Sequence, residues 1–156
     1  MDFTLSELGE GYRKRIREFV DGELIPLEKI PGSYDEHENI DETLLQSLRS
    51  KAKQHGLWCL QMPRDRGGQG LQITDLAACY EEMNRSIFGP VVFDSAAPDD
   101  GTMIILNKVA TQAQKDRWLQ PIIDGQVRSS FAMTEPAPGC GSDPSMMQTR
   151  AERKGD

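Results

Sequence analysis

Little in this chain points to chemistry at sulfur or at a metal. Its 156 residues include three cysteines, Cys59, Cys79 and Cys140, odd in number and far apart. No Cys-x-x-Cys and no histidine pair occurs, so neither a disulfide framework nor a zinc site is supported. The two histidines, His37 and His55, stand in no catalytic-looking constellation, and no hydrolase triad can be assembled from local sequence. Aromatic residues make up only 6%. A basic excess is lacking as well: 18 Lys and Arg against 25 Asp and Glu leave a net charge of −7. With no basic patch, a nucleic-acid partner is not expected. No apolar run approaches the ~20 residues of a membrane span, so none is expected. The opening Met1-Asp2-Phe3-Thr4 carries neither the basic nor the apolar region of a secretory signal. Free thiols suit a reducing compartment, and the expected location is cytoplasmic.

What is present suits one folded unit. Hydrophobic residues at 37% exclude a disordered acidic tail. A chain of this length buries roughly 70% of its unfolded surface, enough for a real core. The charge is uneven: residues 1–50 hold 12 acids and 6 bases, so most of the negative excess sits there.

The pattern reads helices first and strands last. Phe3, Leu5, Leu8, Tyr12, Ile16, Phe19 and Val20 recur at spacings of three and four, one helical stripe with Arg13, Lys14, Arg15 and Arg17 mostly on the wet side. Pro26 and Pro31-Gly32 end it, and 32–39 is a polar loop. Asp41 is an N-cap candidate for a second helix burying Leu44, Leu45, Leu48 and Ala52, and Gly56 is its natural stop. Leu57 to Pro63 is apolar and extended or turning, followed by the glycine-rich Gly67-Gly68-Gln69-Gly70. Thr74 is read as the cap of a third helix that Gly89-Pro90 terminates. A fourth begins near Pro98 and Asp99 and carries Met103, Ile104, Leu106 and Val109. Thr111 with Gln114 forms a capping box for a fifth, which holds Trp118, Leu119, Ile122 and Ile123, is disturbed by Pro121 and stops at Gly125. Beyond it, 127–134 and 147–153 read as two strands, too few for a sheet of their own.

The loop from Thr134 to Ser145 concentrates Gly, Pro and small hydroxyls after a strand-like segment. Glycines let a backbone approach a ligand, and successive amides with Ser hydroxyls can hold phosphate oxygens. It is no dinucleotide fingerprint, because Gly139-x-Gly141 lacks the third glycine and no helix follows. The bland alternative is a surface turn. The glycines at 67–70 offer the same choice, a phosphate cradle or only a tight connection. The cysteines fit small buried or loop residues better than nucleophiles.

At this point the sequence resembles the amino-terminal part of the FAD-dependent acyl-CoA dehydrogenases. The matching pieces come in order: Glu23-Leu24-Ile25-Pro26-Leu27-Glu28, Gly56-Leu57-Trp58 through Met62-Pro63, Gly67-Gly68-Gln69-Gly70-Leu71, Glu81-Glu82-Met83-Asn84-Arg85-Ser86 and Ala97-Pro98-Asp99. Gln114 to Pro121 with Asp124-Gly125 follows, then Phe131-Ala132-Met133-Thr134-Glu135-Pro136 and Gly141-Ser142-Asp143-Pro144. The last two are the most specific.

The resemblance implies a mainly α fold: an N-terminal helical domain at 1–125, then the first strands of a β-barrel domain at 126–156. It implies FAD as cofactor, with Phe131, Met133, Thr134, Gly141 and Ser142 lining the flavin. Met133 and Thr134 match contacts at the pyrimidine edge, and Ser142 a contact to the pyrophosphate and to the acyl-CoA substrate. The implied activity is α,β-dehydrogenation of an acyl-CoA thioester. The carboxylate base is expected downstream of residue 156, so none of the glutamates here is expected to be catalytic, and no metal is implied. Further expected partners are an electron acceptor such as an electron-transfer flavoprotein and, at full length, further copies of the same chain. Acyl-CoA oxidases and flavin monooxygenases share the architecture, and a non-catalytic helical module derived from it is the alternative from another class.

Overall fold

The computed structural model describes residues 3–155. The first helix, α1 (Glu7–Phe19), begins at Ser6, whose Oγ accepts the Gly9 amide at 3.0 Å. The same hydroxyl donates to Asp75 Oδ2 at 2.6 Å, and the Ser6 amide donates to Asp75 Oδ1 at 3.0 Å. A cap thus doubles as a tie to the helix that α1 packs on, α3 (Ile73–Met83). Because α1 starts only at Glu7, Phe3 and Leu5 precede it. The buried face runs Gly9, Tyr12, Ile16 and Phe19, leaving Phe3 and Leu8 exposed, contrary to the stripe expected. Arg17 is not simply solvated: it clasps Glu82, which Arg85 also reaches at 3.3 Å.

After α1 the chain widens into a π turn (Val20–Leu24) and a 3-10 turn (Ile25–Lys29) around Pro26. The acidic loop closes through a Tyr34–Ile40 bridge, with Asp35 Oδ1 accepting the His37 and Asn39 amides, each at 2.8 Å. Next, α2 (Glu42–Gln54) opens at Asp41, whose carboxylate accepts the Leu44 amide at 3.0 Å, and ends at left-handed Gly56.

Two apolar clusters meet on one irregular segment, 57–62. Leu57 and Leu60 point into the cluster of α1, α2 and α3, with Phe88, Val92 and Phe93. Trp58, Cys59 and Met62 point the other way, into Met103, Leu119, Ile122 and Ile123. A buried segment outside helix or sheet must find partners one by one. The Cys59 amide donates to Phe93 O at 3.0 Å, and Trp58 Nε1 donates to Ile123 O at 2.7 Å.

Three local expectations are corrected. The N-cap of α3 is Gln72, and Thr74 lies within the first turn. Gly89-Pro90 does not end that helix, which stops at Met83. The pair instead starts a short helix, α4 (Gly89–Val92), as Pro at a helix N-terminus can. On α5 (Asp99–Val109) only Asp99 and Met103 are buried, while Ile104 and Val109 face outward. The capping box of Thr111 and Gln114 is formed, and the helix it opens, α6, runs through Gln112–Gln114, Lys115–Leu119 and Gln120–Ile123. Its middle section is π-wound, with the Gln120 amide reaching back to Lys115 O, where Pro121 offers no amide to continue the α pattern. Trp118 on this helix is exposed rather than buried.

The molecule is mainly α, as expected. The strands expected at 127–134 and 147–153 are not formed: among the described residues no ladder exists, and a single Glu135–Gly141 bridge is all the pairing beyond α6. Two lone strands have too little to bury against, so the segment stays extended and mostly exposed.

Asp94 is the costly residue of the core. It is left-handed (φ 58°), 5% exposed, and its Oδ2 has no partner. Burial, helped by Asp99, pushes its carboxyl up to about 7 against the opposing pull of Arg49, Cys59 and Lys53. The folded state therefore holds this proton more tightly than the unfolded chain, and stability falls as pH rises from about 4 towards 7. With each pKa unit worth about 1.4 kcal/mol, D94N should raise stability at pH 8 by on the order of 2–4 kcal/mol and change it far less at pH 4. Urea unfolding at the two pH values checks this, and equal effects at both would refute it.

Candidate functional site

The segment leaving α6 is steered by one carboxylate. Asp99, at the start of α5 and 2% exposed, accepts the Ser129 amide at 2.6 Å and the Ser129 hydroxyl at 2.8 Å on Oδ1, and Arg128 Nε at 2.9 Å on Oδ2. Burial alone would raise its pKa, but the Ser129 amide and Arg128 together hold it below the usual range. The helical body thus fixes the direction of the chain two residues before Phe131.

Of the residues expected to line a flavin, Phe131 is 66% exposed, Thr134 and Ser142 are exposed, and Met133 and Gly141 are half-buried. The structure brings the two ends of this set together. The Glu135 amide donates to Gly141 O at 3.0 Å, so Thr134 and Ser142 flank a closed bridge, with Gly141 left-handed at φ 58°. Neither hydroxyl finds a hydrogen-bond partner among the described residues. Phe131 and Met133 are not drawn into the bridge.

Inside the loop the acceptor is Glu135. It takes the amides of Cys140 (3.1 Å), Gln148 (3.0 Å) and Thr149 (2.6 Å), and the Thr149 hydroxyl as well. That hydroxyl first, then the three amides, hold its carboxyl at about 2. At neutral pH it is an anion with its lone pairs spent, unfit to abstract a proton. Sequence reasoning quoted Glu135 and Asp99 inside their motifs but gave neither a role. The only available signal was an acid in a turn with no basic neighbour in sequence.

The glycines at 67–70 are not a cradle. The Gly67, Gly68 and Gly70 amides donate to the carbonyls of Arg64, Pro63 and Met62, and a Cβ on Gly68 would lie 1.7 Å from Met62 O. They form the tight connection before α3. Burial raises the thiol pKa of all three free cysteines, Cys79 to about 12, which leaves them poor nucleophiles. A cavity of about 510 Å³ opens between Tyr34, Arg49, Phe88 and Arg128, but its lining stops short of Phe131. Among the described residues no group of His, Cys, Asp or Glu could hold a metal, and no helix is long and apolar enough to cross a membrane.

Residues 6–126 match the family model described as acyl-CoA dehydrogenase, N-terminal domain. The chain belongs to the acyl-CoA dehydrogenase family. It is 35% identical over 160 residues to acyl-CoA dehydrogenase family member 11 of Gallus gallus, covering 99% of this chain and 20% of that protein. It is 34% identical over 163 residues to a Mycobacterium tuberculosis protein assigned as acyl-CoA dehydrogenase FadE2, covering 99% and 38%. A solved structure of a protein assigned as an acyl-CoA dehydrogenase from Mycobacterium abscessus superposes with a TM-score of 0.72 at 35% identity, covering 86% of this chain and 36% of that one. The chain thus spans well under half the length of these relatives.

If Asp99 steers the segment, D99N should cost about 2–3 kcal/mol, the worth of hydrogen bonds to a buried charged acceptor. The Ser129 amide should then exchange faster while α2 amides stay protected. Since its folded pKa is depressed, wild type should lose this contribution on acidification below about pH 4, and D99N should not. Hydrogen exchange and acid titration of both proteins test the assignment.

Proposed function

We propose that this chain is the amino-terminal part of a flavin-dependent acyl-CoA dehydrogenase. Residues 1–125 are its helical domain, which helps wall the acyl pocket. Residues 126–156 begin the middle β domain. The observation that carries this reading is the bridged turn whose flanking residues Thr134 and Ser142 are exposed with unspent hydroxyls, in a chain of this family. The residues fit FAD: Thr134 and Met133 would meet the pyrimidine edge of the flavin ring, Phe131 and Gly141 would line it, and Ser142 would meet the pyrophosphate and the acyl-CoA. Bound FAD would supply the acceptor for the hydride from the substrate β-carbon. A donor at Thr134 would suit the pyrimidine edge because negative charge gathers there on reduction. As the family resemblance implies, the general base would belong to the part of the enzyme beyond residue 156, and Glu135 is no candidate for it. Exposed Ile104, Val109 and Trp118 support further burial of this surface, by downstream domains and by other copies of the enzyme. Electrons would pass on to an acceptor such as an electron-transfer flavoprotein.

Two outcomes follow. The 156-residue polypeptide with added FAD should not bleach the flavin when acyl-CoA is supplied, because proton abstraction needs a positioned base. Bleaching in a stopped-flow spectrum would overturn this. In the complete enzyme T134V should weaken FAD binding or turnover by about 1–3 kcal/mol, the worth of one hydrogen bond to a charge-bearing acceptor. Unchanged affinity and unchanged turnover together would remove Thr134 from the site.

A further inference from the structure

We propose that Glu135 is a positioning residue for the ligand-binding loop: its carboxylate gathers the Cys140, Gln148 and Thr149 amides into one knot and so sets Gly141 and Ser142 beside Thr134. The role rests on the flavin reading above. Three observations carry it. First, the ends of the loop share one acceptor. Oε2 takes the Cys140 amide at 3.1 Å, Oε1 takes the Thr149 amide at 2.6 Å, and the Gln148 amide lies 3.1 and 3.0 Å from the two oxygens. The Glu135 amide adds the bond to Gly141 O. Residues 136–148 therefore close on a single side chain instead of on a ladder. Second, the loop is folded tightly against that side chain: a Cβ on Gly139 would lie 2.6 Å from Glu135 Cβ and 2.8 Å from Oε2. Third, no Lys or Arg pairs with Glu135 among the described residues, so its charge is met by uncharged donors.

The knot also sorts the donors. Amides turned inward at Cys140, Gln148 and Thr149 are lost to any ligand. The Ser142 amide donates to no described residue and stays available, together with the Ser142 hydroxyl, whereas the bridge turns the Gly141 amide towards Glu135. An anionic ligand such as a pyrophosphate would then meet the loop at 142 and not at 140 or 141.

The test is E135Q in the complete enzyme. Gln keeps the shape but turns an NH2 donor against amides that need an acceptor. Amide-resolved hydrogen exchange and FAD titration followed by flavin absorbance are read together. Expected are exchange at Cys140, Gln148 and Thr149 at least tenfold faster, unchanged protection in α2, and FAD binding at least tenfold weaker. Should E135Q lose the helices, T149A, which removes one donor and adds none, decides with a several-fold loss of affinity expected. E135Q, or T149A in its place, with wild-type exchange or FAD affinity within twofold would overturn the positioning role and leave the flavin reading standing. A complete wild-type enzyme whose Thr134 and Ser142 amides ignore FAD would refute the flavin reading itself, and this role with it.

Discussion

Everything in the helical body hangs on the 57–62 segment, a stretch of backbone buried between two apolar clusters with no helix or sheet to satisfy it. Leu57 and Leu60 fill one cluster, Trp58, Cys59 and Met62 the other. Each polar group there needs its own partner, and the partners come from distant places: Phe93 O for the Cys59 amide, Asp94 O for Gln61 Nε2 at 2.6 Å, and Ile123 O for the indole. These bonds tie α6 and the 88–95 stretch to the centre. They also force concessions. Cys59 and Asp94 both take left-handed backbone angles, and Gln61 Oε1 and Asp94 Oδ2 are left without partners. Local strain of this kind persists only where surrounding packing fixes it.

The tail inherits its placement from that body. Asp99 sits at the end of α5 nearest Asp94, and its hold on Arg128 and Ser129 carries the geometry of the core outward to the start of the 131–142 region. Beyond that, order is local: one backbone bridge and the Glu135 carboxylate. The two halves of the chain are thus organised by different means, one by apolar burial and one by hydrogen bonds to single acids.

Some helix ends were legible in the sequence, though the side-chain cap at Ser6 was not, because the apolar pattern begins ahead of it at Phe3 and Leu5. Asp41, the Thr111–Gln114 box and Gly56 all act as their chemistry dictates. Gln72 was not legible, since it caps α3 without a side-chain bond, and Thr74 offered a better cap in the wrong place. Burial on α5 and α6 was misjudged for another reason. Ile104, Val109 and Trp118 are apolar residues on helices the sequence shows, but an apolar side chain does not name what covers it. The strands read from the pattern are not formed, because a strand needs a neighbour that these segments do not find among the described residues. Of the site, the Thr134-to-Ser142 motif could be read. Its supports could not, because Gln148 and Thr149 lie 13 and 14 positions from the acid that binds them.

The lock between α1 and α3 also bears on how this sequence can change. A methyl at position 9 would stand 2.2 Å from Asp75 Cγ, so Gly9 has no room while the carboxylate is there. Removing the Asp75 carboxylate first relieves only part of the clash, since a methyl at position 9 would still lie 2.6 Å from the Cβ at 75, and it strips the Ser6 amide and hydroxyl of their acceptor. Neither single step is neutral, and the route by which both positions drift must cross a less stable intermediate whichever comes first. Positions 6, 9 and 75 behave as one mutational unit spread over two helices, free to change together and held in place separately.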